Sequence, residues 1–176
     1  RLDMDTSGCL VVAKNDPTHL ALAQQFASRD VQKIYHAMVC GEMLRQAGEI
    51  RAAIGRHPTH RKRMAVLDGI GREAWTSYRV LERLQGATLA EVSLHTGRTH
   101  QIRVHFQFLG FPLIGDATYG KQQNNRLQEL TGYVAPRQML HAQRLAFVHP
   151  RSNEPMALEA PWPADFRATL AALQLG

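Results

Sequence analysis

A chain of 176 residues, 44% of them hydrophobic and 20% charged, is long enough to close a core of its own and too ordinary in composition to be disordered or fibrous. No run approaches the roughly 20 apolar residues that a membrane-spanning helix needs. Lys and Arg outnumber Asp and Glu by 21 to 15, a formal +6 that favours polyanionic partners, while Cys9 and Cys40 lack the spacing of a disulfide framework or zinc site and fit a reducing, cytoplasmic setting.

In chain order, the apolar run Gly8 to Lys14 predicts a buried strand, and Asn15-Asp16-Pro17 then offers a cap and a first-turn proline. A helix follows to about Arg29, with Leu20, Ala23, Phe26 and Ala27 expected to face the core. KIYHAMVCG at 33–41 alternates as a strand, Tyr35, Ala37 and Val39 on one side and Ile34, His36, Met38 and Cys40 on the other. GRHPTHRKR at 55–63 has no apolar period and reads as a solvated loop between strands at 48–53 and 76–83. The last of these pairs with 88–96 across a Gln85-Gly86-Ala87 turn.

A helix is expected from Thr99 to Gly110 with Ile102, Phe106 and Leu109 inward, followed by the glycine-punctuated loop 115–120. Strands at 138–148 and 155–160 and a terminal helix opened by Pro163, with Phe166, Leu170 and Leu173 inward, complete the pattern. Hairpin-compatible strands without regular βαβ alternation predict an α+β fold, a mixed and mostly antiparallel sheet with flanking helices. The chain begins Arg1-Leu2-Asp3 with no initiator Met and no signal-peptide pattern, so 1–176 reads as one domain cut from a longer polypeptide.

Three segments ask for a common explanation: RLDMDTSG at 1–8, KIYHAMVCG at 33–41 and TGRTHQIRVH at 96–105. With GDATYG at 115–120 and LHAQRLAFVHP at 140–150, they resemble, in order and over essentially the whole chain, the RluA family of pseudouridine synthases. The family's histidine before Arg1 is absent, as is the strand-rich segment ahead of it, and an S4-like RNA-binding domain upstream is a further expectation. The resemblance implies a pseudouridine synthase fold and a cofactor-free isomerase of uridines in structured RNA. RHPTHRKRMAV and GRTHQIRVH look most similar to the RluD-type branch, which acts on large-subunit ribosomal RNA; tRNA is the other RNA class the family serves.

That chemistry breaks an N-glycosidic bond, turns the base and rejoins it through C5, and a carboxylate suffices for it, by covalent addition or by assisting proton loss. The resemblance assigns this role to Asp3; an isolated Asp before Thr-Ser-Gly would be read as a turn cap. A carboxylate in a partly desolvated pocket asks for a cationic partner, and the HQIR motif nominates Arg103, with Arg98 first as a phosphate ligand although the two roles are exchangeable from sequence. The resemblance further implies Tyr35 as a stacking face and helper in removing the C5 proton, Leu140 as packing on the base's other side, and Arg1 as the side chain filling the gap left by a flipped base. Arg56, Arg61, Lys62 and Arg63 are candidate phosphate contacts, or else a solvated charge run.

Asp3-Met4-Asp5-Thr6-Ser7 also approximates the nucleophile motif of haloacid dehalogenase-type phosphatases, which need a downstream acidic pair for magnesium and regular α/β alternation; Asp116 stands alone and the alternation is lacking. The nine His lack zinc-motif spacing, and a non-catalytic RNA-binding module is the remaining rival.

Overall fold

The computed structural model describes residues 1–174. Its strands are β1 (Ser7–Gly8), β2 (Gln32–Cys40), β3 (Ala47–Arg51), β4 (Ile54–Arg56), β5 (Met64–Val66), β6 (Trp75–Leu84), β7 (Ala87–Leu94), β8 (Leu140–Val148) and β9 (Pro155–Glu159). The helices are α1 (Asp16–Ser28), α2 (Gln101–Phe108), α3 (Lys121–Thr131) and α4 (Ala164–Leu173). Seven strands form one sheet in the order β1-β8-β2-β7-β6-β3, with β9 also on β8, and β4 and β5 form a separate hairpin. Among the described residues only β1 against β8 is parallel, which is the mixed, mostly antiparallel α+β architecture expected from the sequence.

The alternation of β2 divides the core in two. Ala37 and Val39, with Tyr35 at their margin, meet Val92, Tyr78, Ile102 and Phe106 on the α2 side; Met38 and Cys40 meet Leu84, Leu89, Phe166 and Leu173 on the α4 side. Phe106 and Phe166 are fully buried, each contributing roughly 1.5–3 kcal/mol of apolar burial. The terminal helix and α2 thus bury the faces their periodicity predicts.

Three expectations are corrected. The run after Gly8 is not a buried strand: Cys9 N–H still donates to the Ala142 carbonyl at 2.9 Å, but Leu10 is 58% and Val12 75% exposed. The edge of β8 beyond Ala142 is taken by β9, beginning at Arg144 opposite Glu159, so the chain peels away. Helix α1 starts as predicted, Asn15 Oδ1 accepting from Thr18 N–H at 3.0 Å, but its inward residue is Leu22, and Leu20 is 68% exposed. A polar anchor turns the helix: Gln25 donates to the Val148 carbonyl at 2.8 Å and accepts the Val148 N–H at 2.9 Å. Finally, GRHPTHRKR is not all loop, because Gly55 and Arg56 lie in β4 and pair with Ala65 and Met64 of β5, leaving 57–63 as the hairpin tip. Helix α3, which buries only Leu127, carries too little apolar signal to announce itself.

Candidate active site

The first eight residues form a loop with a fixed foot. Gly8 sits at φ +111° opposite Ala142, where an added Cβ would lie 2.3 Å from the Ala142 carbonyl oxygen, so only glycine admits this approach. Ser7 Oγ meets His141 Nδ1 at 2.9 Å while His141 Nε2 meets the Ala160 carbonyl at 3.0 Å; the imidazole therefore donates from Nε2 and accepts the Ser7 hydroxyl at Nδ1. Above this foot, Thr6 N–H donates to the Asp3 carbonyl at 3.1 Å and Asp5 takes a left-handed φ of +67°, closing a turn that lifts Asp3 over the sheet.

The turn is also gripped from the segment before β8. Arg137 donates from Nη1 to the Asp5 carbonyl at 2.8 Å and from Nη2 to Ser7 Oγ at 3.2 Å, while its Nε and Nη2 engage the Asp165 carboxylate at 2.6 and 2.9 Å. Gln138 Nε2 donates to the Met4 carbonyl at 2.8 Å. The Arg137 hydrogen bond holds the Asp165 carboxyl below its ordinary range. Neither Arg137 nor Gln138 was singled out from sequence; the only signal was their place beside LHA, and polar contacts 130 residues apart leave no local pattern.

Asp3 stands at a cavity of about 200 Å³ whose wall includes Tyr35, Ile102 and Leu140 and whose rim includes Arg1, Lys33 and Arg98. Tyr35 arrives at a β-bulge: β2 and β8 pair Ile34 with Arg144 but His36 with His141, so two residues of β8 face Tyr35 alone. Burial first, then the Asp3 charge, pushes the Tyr35 phenol up to about 12. Leu140, the first residue of β8, is 3% exposed beside it.

Arg103 projects from α2, with its side chain 7% exposed. It reaches two carboxylates: Nε and Nη2 clasp Asp116 at 2.7 and 3.0 Å, and Nη1 approaches Asp3 at 3.6 Å. Burial works against its charge, but the Asp116 hydrogen bonds and the two carboxylates outweigh it and hold the guanidinium above its ordinary value. Asp116 Oδ1 also accepts the N–H groups of Thr118 and Tyr119 at 2.9 and 3.1 Å, so this acid is committed to the GDATYG loop and to Arg103. Among the described residues no three His, Cys, Asp or Glu side chains cluster as metal ligands would.

The TGRTHQIRVH motif resolves into internal ties and pocket residues. Thr96 Oγ1 donates to Gln101 Oε1 at 2.8 Å, Gln101 Nε2 donates to Thr76 Oγ1 at 2.9 Å, and Thr76 meets His105 Nδ1 at 2.8 Å. His105 Nε2 reaches the Ala52 carbonyl at 2.9 Å, and burial holds its imidazole below the ordinary value. This satisfied chain fixes α2 to β6, and with it the direction of Arg103. Arg98 lies at the rim, its Nε donating to the Glu73 carbonyl at 2.9 Å, and makes no ion pair with Asp3.

Arg1 is exposed at the rim, while Arg56, Arg61 and Lys62 are exposed and Arg63 half-buried on the hairpin. Met64 N–H at the base of β5 donates to Tyr119 Oη at 2.8 Å, which fastens the hairpin beside the site. No helix among the described residues is long and apolar enough to cross a membrane.

A family model described as RNA pseudouridylate synthase matches residues 1–108. Ribosomal large subunit pseudouridine synthase D of Nitrosomonas europaea is 46% identical over 174 residues, which is 99% of this chain and 50% of that protein. The protein of the same name from Pseudomonas aeruginosa is 44% identical over 181 residues, covering 99% and 55%. Among solved structures, human RNA Pseudouridylate Synthase Domain Containing 1 superposes with a TM-score of 0.82 at 30% identity over 99% of this chain and 71% of that one. The chain spans about half the length of the curated relatives it matches. With the family model matched from the Asp3 turn through α2, the chain belongs to the RNA pseudouridylate synthase family.

Proposed function

We propose that this chain is the catalytic part of an RNA uridine isomerase that makes pseudouridine, with large-subunit ribosomal RNA as its substrate. The observation that carries this reading is Asp3, a carboxylate poised over a pocket walled by Tyr35 and Leu140 with the Arg103 guanidinium at 3.6 Å. The two relatives named for the ribosomal large subunit support the choice of RNA.

The reaction breaks N1–C1′, forms C5–C1′, loses the proton from C5 and returns one to N1, so atoms balance without a co-reactant. Asp3 either adds to the sugar or base or takes a proton while the glycosidic bond opens. Tyr35 supplies an aromatic face for the unstacked base, worth about 1–3 kcal/mol. With its phenol pushed up to about 12 it is protonated at neutral pH, so it takes the C5 proton only by giving its own to a base, and the base beside it is the Asp3 carboxylate, whose charge helps to raise it. Arg1 occupies the rim where a side chain can enter the stack the uridine leaves, and the cations of the hairpin grip phosphates.

The test maps pseudouridines in ribosomal RNA and tRNA from cells lacking the full-length gene, restored with wild type or Asp3→Asn. Sites should vanish in the deletion, return with wild type and stay absent with Asp3→Asn although that variant still binds RNA. Unchanged maps in both RNA classes, or restoration by Asp3→Asn, would sink the reading; loss confined to tRNA would move the substrate.

A further inference from the structure

Among the titratable side chains that line the pocket, His100 takes no part in the reaction proposed above. It precedes α2 and holds a left-handed φ of +56°, a conformation that costs a non-glycine residue energy and persists only where its surroundings enforce it. Its two ends are tied down: the His100 carbonyl accepts the Val104 N–H at 2.9 Å, and Nδ1 lies 2.8 Å from Tyr119 Oη.

The protons at this contact can be counted. The Tyr119 oxygen receives the Met64 N–H at 2.8 Å, and a backbone N–H can only donate. Tyr119 is 6% exposed, so its own hydroxyl proton needs an acceptor, and the partner within reach among the described residues is His100 Nδ1. Nδ1 therefore accepts, and the ring carries its proton on Nε2. Burial holds the imidazole below its ordinary value, which keeps it neutral beside Asp3, Arg1 and Arg103.

From this geometry we infer that His100 is a substrate-contacting residue, locked by Tyr119 as the Nε2–H tautomer so that it donates a hydrogen bond to an acceptor oxygen of the target nucleotide. Tyr119 is then a positioning residue. It lies under the Arg103 guanidinium, 5.0 Å from ring centre to Cζ, and holds the base of the basic hairpin, so one phenol oxygen sets the direction of a pocket donor and the seat of the hairpin. The acceptor is a uracil carbonyl or a phosphate flanking it; both are oxygens that a neutral N–H recognises without charge. The inference rests on the uridine-isomerase reading for its substrate, but the tautomer does not.

The tautomer is read first, by nitrogen-15 NMR of histidine-labelled protein at pH 8. Nε2 of His100 should be protonated and Nδ1 bare, and Tyr119→Phe, which keeps the ring and loses the acceptor-seeking proton, should convert the ring to a mixture of tautomers. A protonated Nδ1 in the wild type, or an unaltered tautomer in Tyr119→Phe, overturns the inference whatever the protein acts on. Turnover is read by tritium release from C5-labelled uridine in unmodified large-subunit ribosomal RNA. His100→Ala should turn over about tenfold more slowly, and His100→Gln, whose amide keeps an N–H in the same region, should recover most of that loss. Equal losses in the two variants overturn the donor role. RNA carrying 2-thiouridine, 4-thiouridine or a neutral methylphosphonate at the target then separates the acceptors: the change that slows wild type but not His100→Ala marks the oxygen contacted, and if none behaves so the contact is disproved. Tritium release absent from wild type as well would count against the isomerase reading, with the NMR result standing apart from it.

Discussion

Gly8 shows how much one missing side chain can decide. A Cβ there would meet the Ala142 carbonyl oxygen at 2.3 Å, and its φ of +111° suits no L side chain. Gly8→Ala should therefore push β1 off β8 and carry Asp3 with it. We expect a thermal midpoint several degrees lower and isomerisation reduced by more than tenfold, the first read by calorimetry and the second by tritium release. The glycine was legible as part of a motif, but its reason was not, because the carbonyl it makes room for lies at residue 142. Arg103 was likewise legible as a cation for Asp3, whereas its tighter hold on Asp116 was hidden in an acid that stood alone in sequence.

Among elements, the segment before β8 and the basic hairpin make separable contributions. Arg137 binds the Asp3 turn through the Asp5 carbonyl and Ser7 hydroxyl while braced by Asp165. Arg137→Gln should leave RNA affinity within about threefold and lower kcat by about ten- to a hundredfold, since displacement of the carboxylate acts on the chemical step. A matching loss of affinity would show that the segment holds RNA rather than the turn. The hairpin should behave oppositely. Replacing exposed Arg56, Arg61 and Lys62 with Ala should flatten the dependence of log affinity on log salt by about 2 if all three touch phosphate; an unchanged slope would leave them a solvated charge run. The elements themselves were readable where apolar period dominates, as in β2 and α4. They were misread where polar anchors dominate, as with Gln25 on α1, or where a helix such as α3 is nearly all polar.

At the scale of the whole molecule, four histidines partly or fully withdrawn from water make stability depend on pH. His36, His95, His100 and His105 are held below their ordinary value, in each case chiefly by burial. The unfolded chain then binds more protons than the folded one as pH falls through the free-histidine value of about 6.5, so stability declines in that window and is level above it. The thermal midpoint should fall between pH 7 and pH 5, and His105→Gln, which removes one of these groups from the core, should reduce the slope once its own cost in stability is subtracted. A midpoint flat over that range would contradict the burial of these rings. The architecture and family were legible because five motifs recur in order; the closure of the site was not, because it depends on residues at opposite ends of the chain meeting.

Arg103 serves two acids unequally, and the inequality has a consequence for reactivity. Asp116 occupies Nε and Nη2, leaving a single nitrogen for Asp3 at 3.6 Å. The Asp3 carboxylate is thus held by charge, with no hydrogen bond on its oxygens among the described residues, whereas a fork-on-fork embrace would consume both. Asp116 thereby leaves the guanidinium no second free nitrogen with which to fork onto Asp3. Asp116→Asn should free Nε and Nη2 to close on Asp3 as a fork; tritium release should fall while RNA affinity holds, and Arg103→Lys in that background, which offers one ammonium and no fork, should recover part of the loss, whereas unchanged release in Asp116→Asn would contradict this division of the guanidinium.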